Sequence, residues 1–167
     1  MIKLASLGIG LALALAPIGQ VQAASWSRLV GTARQFVIDI PTPSFREQAS
    51  DKASHRTFIE VDGGAIIDVY SGRNLKRLQP TTFIQELSHA PRIEDITYTA
   101  QGRSWFAISG HYVREGADPG NLIYYAKFVF SPDLTRFAAF EISYPTAEKR
   151  AMDPVVTHLE KSLRLTP

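Results

Sequence analysis

The chain contains no cysteine, which excludes a disulfide framework, a lipid-modified N-terminal cysteine and the thiolate-based structural zinc signatures. Strong charge imbalance is missing as well. Eighteen Lys and Arg face 16 Asp and Glu among 167 residues, interspersed and without a block of five like charges, so neither a nucleic-acid footprint nor an anionic-membrane patch is written here. No apolar run reaches the roughly 20 residues that span a bilayer. Glycines fall at turns, in "DGG" and "DPGN", and no Gly-Lys-Ser/Thr follows them, so a phosphate-cradling loop is absent. Internal repeats and low-complexity tracts are lacking too.

The longest apolar run lies at the start, from Leu4 to Ala16 after Lys3, followed by Pro17, Gly19 and "VQA" at Val21 to Ala23. A basic start, a short apolar stretch and small residues at positions −3 and −1 form the pattern of a secretory signal. Residues 1–23 are therefore read as a signal peptide cleaved on export, with a periplasmic or secreted mature chain and no stable membrane insertion after cleavage. The mature chain suits one domain able to bury a core without staples.

Within it, residues 24–33 lack a clear period and read as an N-terminal tether or a short helical turn, and 34–167 as a single α+β domain. "RQFVIDI" alternates Phe36, Ile38 and Ile40 and predicts a strand ended by Pro41 and Pro43. Residues 44–55 read as a polar loop anchored by Phe45. Thr57 to Val61 and Ala65 to Tyr70 flank Asp62-Gly63-Gly64, a hairpin whose glycines are expected to supply positive φ. Thr82 is a candidate cap for a short helix with Phe83, Ile84 and Leu87 on one face. A second hairpin runs from Glu94 through Gln101-Gly102 to Arg114, and strands at 122–130 and 136–144 complete a meander. Asp153-Pro154 reads as the start of a closing helix with Val155, Val156, Leu159 and Leu163 at helical spacing.

The most chemically loaded stretch is "RSWFAISGHY", residues 103–112. Alternation puts Trp105, Ala107, Ser109 and His111 on one face and Phe106, Ile108 and Tyr112 on the other, which reads as a central strand covered on both sides. Ser109 and His111 share a face about 7 Å apart along a strand, too far for a direct nucleophile–base hydrogen bond. The Gly-x-Ser-x-Gly elbow is also missing, with Ala107 and His111 in the glycine places. A small periplasmic hydrolase using Ser109 and His111 is carried only as the alternative. His55, His89, His111 and His158 form no close ligand pair, so no metal and no cofactor is expected. Tyrosine joins an apolar body to a polar tip and suits the edge of a shallow groove. The candidate ligand-binding residues are Trp105, His111, Tyr112, Tyr124 and Tyr125, and no residue is assigned a catalytic role.

The stretches "WFAISGHY", "NLIYYAKFVF", "FAAFEISYP" and "AMDPVVTHLEKSLR" resemble a group of small exported bacterial proteins of unassigned function. That group has a "WFVISG"-like strand before a hairpin and an "I-x-Y-P" strand end leading to a closing helix. Here these are Trp105 to Gly110 and Ile142 to Pro145, whereas Ser162-Leu163 departs in having leucine for the aromatic. "FVIDIPTPSF" is similar to the group's first strand. The resemblance implies a Mog1/PsbP-like α/β/α sandwich, an antiparallel sheet between helices, and carries over no catalytic residue. It implies a non-enzymatic binding or assembly module of the cell envelope, with an envelope protein, peptide or small molecule as partner.

Overall fold

The computed structural model describes residues 25–31, 35–49, 54–113, 116 and 118–166; the expected signal peptide, residues 1–23, lies outside the described residues. In chain order the elements are β1 (Ser25–Val30), β2 (Phe36–Thr42), β3 (Phe45–Gln48), β4 (His55–Glu60), β5 (Ile66–Arg73), α1 (Pro80–Ser88), β6 (Ile93–Gln101), β7 (Trp105–Tyr112), β8 (Leu122–Phe130) and β9 (Arg136–Pro145). A 3₁₀ turn (Thr146–Glu148), α2 (Lys149–Ser162) and β10 (Arg164–Leu165) close the chain. Seven strands form one sheet in the order β3-β4-β5-β9-β8-β7-β6, and β1, β2 and β10 form a small second sheet with β2 in the middle. Among the described residues every pairing is antiparallel.

Two-faced strands dictate a three-layer packing, because an apolar face must find cover. In β8, Tyr124, Ala126, Phe128 and Phe130 point to one core, whereas Ile123, Tyr125 and Val129 point to the other. Over the first face α1 lays Phe83, Ile84 and Leu87, with the Phe83 ring 5.4–5.9 Å from the rings of Phe128, Phe130, Phe137 and Phe106. Over the second, β2 supplies Phe36, Ile38 and Ile40 and α2 supplies Met152 and Leu159, packed on Ile67, Val69, Phe140 and Ile142. Each such fully buried side chain contributes about 1.5–3 kcal/mol relative to exposure. The α+β sandwich is thus borne out.

Several local expectations are corrected. Residues 25–30 are not a tether but strand β1, paired with β2 from Ser25–Thr42 to Val30–Val37. The period is hidden because β1 covers an edge and tucks in only Trp26 and Leu29, Trp26 stacking on His158 at 3.7 Å. β2 continues through Pro41, which needs no second donor there because β10 pairs with β2 only at Phe36 and Val37. The polar loop at 44–55 contains edge strand β3, whose buried residue is Phe45, as the anchor reading proposed. Gly63 and Gly64 do not have positive φ. They serve close approach: a Cβ on Gly63 would lie 2.0 Å from the Glu60 carboxylate, which curls under the turn to accept the Ala65 N–H at 3.1 Å.

α1 begins at Pro80 behind Gln79, with proline in the first turn and no side-chain cap from Thr82. α2 begins at Lys149 and runs through Pro154, so Asp153 pairs with Lys149 at 2.9 Å instead of capping. β7 is covered on both faces, but it stands next to the sheet edge, and β9 occupies the centre.

Candidate functional site

The residues singled out in the sequence part company across the sheet. Tyr112 and Tyr124 lie on the α1 face, their rings stacked at 4.2 Å and 7° between planes. Trp105 and Tyr125 lie on the α2 face, Trp105 beneath the Lys127 ammonium at 5.2 Å and Tyr125 at the floor of a groove. His111 sits at the end of β7 with Nδ1 2.9 Å from Oδ1 of Asp95, whose same oxygen accepts the His111 backbone N–H. Ser109 donates its hydroxyl to the Tyr124 carbonyl at 2.6 Å. Serine and histidine are therefore engaged with different partners.

The groove runs where α2 stands off from β6, β7 and β8. It encloses about 450 Å³. Ile123, Tyr125 and Tyr144 form a buried floor, Thr97, Tyr98 and Ser109 one wall, and Val156, Thr157 and Glu160 the other. Tyr98 is 51% exposed at the mouth, beside the Lys149–Asp153 pair. Burial, with Asp153 nearby, pushes the Tyr144 phenol up to about 12, and burial followed by Glu160 raises that of Tyr125. These hydroxyls stay neutral at ordinary pH and present donors above apolar rings. Tyr98 and Tyr144 were missed in the sequence, although alternation in β9 would have placed Tyr144 on the same face as Ile142.

A second concavity, of about 220 Å³, opens on the α1 face, lined by His55, Asp68, Tyr70, Arg92 and Glu141. Thr57, Asp68 and Glu141 stand in register on β4, β5 and β9. His55 Nε2 lies 2.7 Å from Asp68 Oδ1, and the Thr57 hydroxyl donates to the same oxygen at 2.6 Å. A guanidinium nitrogen of Arg92 donates to Glu141 Oε2 at 2.8 Å, and its guanidinium lies 5.0 Å over the Tyr112 ring. Burial raises the Glu141 carboxyl above its ordinary range despite Arg92 and the Tyr112 hydroxyl pulling it down. Of the five lining residues the sequence analysis named only His55, as one of four histidines without a close ligand pair; the polar Asp68 and Glu141 inside apolar strand runs were the available signal.

No sequence-family description and no curated protein matches the chain. Solved structures do. The cyanobacterial PsbP protein CyanoP from Synechocystis is similar at a TM-score of 0.60 and 12% identity, over 91% of this chain and 99% of that one. The chain has a Mog1/PsbP-like fold. The Ran-binding protein Mog1p of Saccharomyces cerevisiae matches at 0.57 and 9% identity, over 86% of this chain and 96% of that one. LpqN of Mycobacterium tuberculosis, described as involved in cell envelope biogenesis, matches at 0.53 and 13% identity, over 87% and 92%. Identities this low carry the Mog1/PsbP-like shape and leave function to the side chains. Among the described residues no helix is long and apolar enough to cross a membrane, and no three His, Asp or Glu side chains are grouped to hold a metal.

Proposed function

We propose that the chain is an exported, non-enzymatic binding or assembly module of the cell envelope that holds a polypeptide segment of a partner in the groove beside α2. The observation that carries this reading is the convergence of Tyr98, Tyr125 and Tyr144 from three strands on one open trough. Apolar ring bodies with neutral hydroxyl tips, rimmed by a lysine and two acids, suit a backbone with mixed side chains better than a uniformly apolar ligand. The similarity to a protein named for Ran binding and to one named for envelope biogenesis supports a partner-binding role. The engagement of Ser109 with a backbone carbonyl and of His111 with Asp95 supports binding over hydrolysis.

Thr157→Arg tests the reading, because the exposed threonine lines the groove and the arginine would fill it from α2 without entering the core. The wild type is expected to co-purify with an envelope polypeptide, and the variant to keep the wild-type melting temperature and lose that polypeptide. Undiminished co-purification would count against the groove.

A further inference from the structure

The cavity on the α1 face is separate from the groove and makes little sense as packing. α1 covers only the β6–β9 half of that face. Where that cover ends, Glu141 brings a nearly buried carboxyl into the central strand, directly opposite Asp68 on β5. Like charges placed opposite each other across strands are destabilising, and apolar residues of similar size would hold a sheet at least as well. We propose that this cavity binds the ammonium head of an alkylamine, either a free amine or a lysine side chain.

The hydrogen bonds decide the sign of the ligand. Arg92 is committed to Glu141, and both donors to Asp68, His55 and Thr57, reach Oδ1. Among the described residues Oδ2 of Asp68 has no protein partner, so the uncommitted charge of the cavity is a carboxylate oxygen. A three-donor ammonium would find an acceptor in that oxygen, beside the Arg92–Glu141 pair that lines the same cavity. The Tyr70 ring, held against His55 at 5.5 Å, lines the cavity and adds an apolar wall beside the carboxylate. A bare metal ion has a poor fit, since no three ligating side chains are grouped among the described residues.

The same face supplies a track for the carbon chain. Ile66 precedes Asp68 by two positions on β5 and pairs with Ile59 on β4, and these residues are 37% and 40% exposed beside the cavity. Side chains two apart on a strand point the same way at roughly 7 Å spacing, so a chain of four or five carbons leaving the cavity would lie on Ile66.

The test is a titration of the purified full-length protein, followed by backbone amide NMR, with methylamine, n-pentylamine, Nα-acetyl-lysine N-methylamide, 1-pentanol and pentanoate at matched ionic strength. Pentylamine is expected to shift the amides of Ile66, Asp68, Tyr70 and Glu141 saturably, with pentanol and pentanoate weaker by about tenfold or more. Asp68→Asn should weaken the amine by about tenfold at an unchanged melting temperature. Should that variant fold poorly, Ile66→Ser gives a second reading: the gain from methylamine to pentylamine disappears while methylamine binding stays. A lysine derivative equal to or tighter than pentylamine identifies a polypeptide source, and a weaker one a free amine. Pentanol binding as well as pentylamine, pentanoate binding better, or no saturable shift would overturn the proposal.

Discussion

A terminal guanidinium nitrogen of Arg92 lies 2.8 Å from Oε2 of Glu141, whose side chain is only 7% exposed in the central strand of the sheet. Removing the cation strands a buried charge, whereas removing both groups does not. Because the Arg92 side chain is itself 55% exposed, its contribution is discounted for solvent screening. Arg92→Ala is expected to cost about 2 kcal/mol in denaturant unfolding, and Arg92→Ala/Glu141→Gln to recover a large part of it. A double variant no more stable than the single one would show that the ion pair is not the source of the loss.

The same carboxylate sets a pH dependence. Burial holds the folded-state pKa of Glu141 above its ordinary 4.5, so between that value and the raised one the folded chain keeps a proton that the unfolded chain has released. Stability therefore falls as pH rises through this window. Glu141→Gln removes the slope. Unfolding free energies measured from about pH 4 to about pH 8 should show the wild type losing ground to the variant as pH rises; parallel curves would refute the raised value.

Gly110 lies where β6 shifts register against β7 between Ile93 and Asp95 and again between Ile96 and Tyr98. A Cβ there would stand 2.1 Å from the Asp95 carbonyl oxygen, a backbone atom that cannot swing aside. Gly110→Ala is expected to destabilise by about 2 kcal/mol and to loosen the His111–Asp95 pair, read as a change in the His111 ring NMR signals. A neutral substitution would mean that the bulge gives way freely.

Phe83 anchors α1 to the aromatic cluster of Phe106, Phe128, Phe130 and Phe137. Phe83→Ala should cost about 3 kcal/mol by thermal or denaturant melts. Leu75→Ala, at a residue 85% exposed, should stay within about 0.5 kcal/mol, and equal losses at both positions would contradict the packing described.

Alternation made the large sheet readable. In β7, Phe106, Ile108 and Tyr112 against Trp105 and Ala107 revealed two covered faces, and the strands read at 122–130 and 136–144 extended it into the β7–β8–β9 meander. Edge pieces were not readable, because β1 and β3 bury too few side chains to leave a period; Trp26, Leu29 and Phe45 carry them. The candidate site was harder still. Tyr112 and Tyr125 are neighbours in role but point to opposite cores, a separation that parity along the strands contains but that composition hides. The cavity at Asp68 and Glu141 joins β4, β5, β9 and the residue before β6, and only the strand order brings these together.

The groove reading is tested most directly by site-specific photocrosslinking in the native envelope. A benzophenone amino acid replaces Tyr98 at the groove mouth or, in a second protein, Leu75 on an exposed loop. One discrete crosslinked polypeptide is expected from position 98, none from position 75, and its loss when Thr157→Arg is combined with the probe. Equal crosslinking from both positions, or none from position 98 in the folded protein, would contradict it.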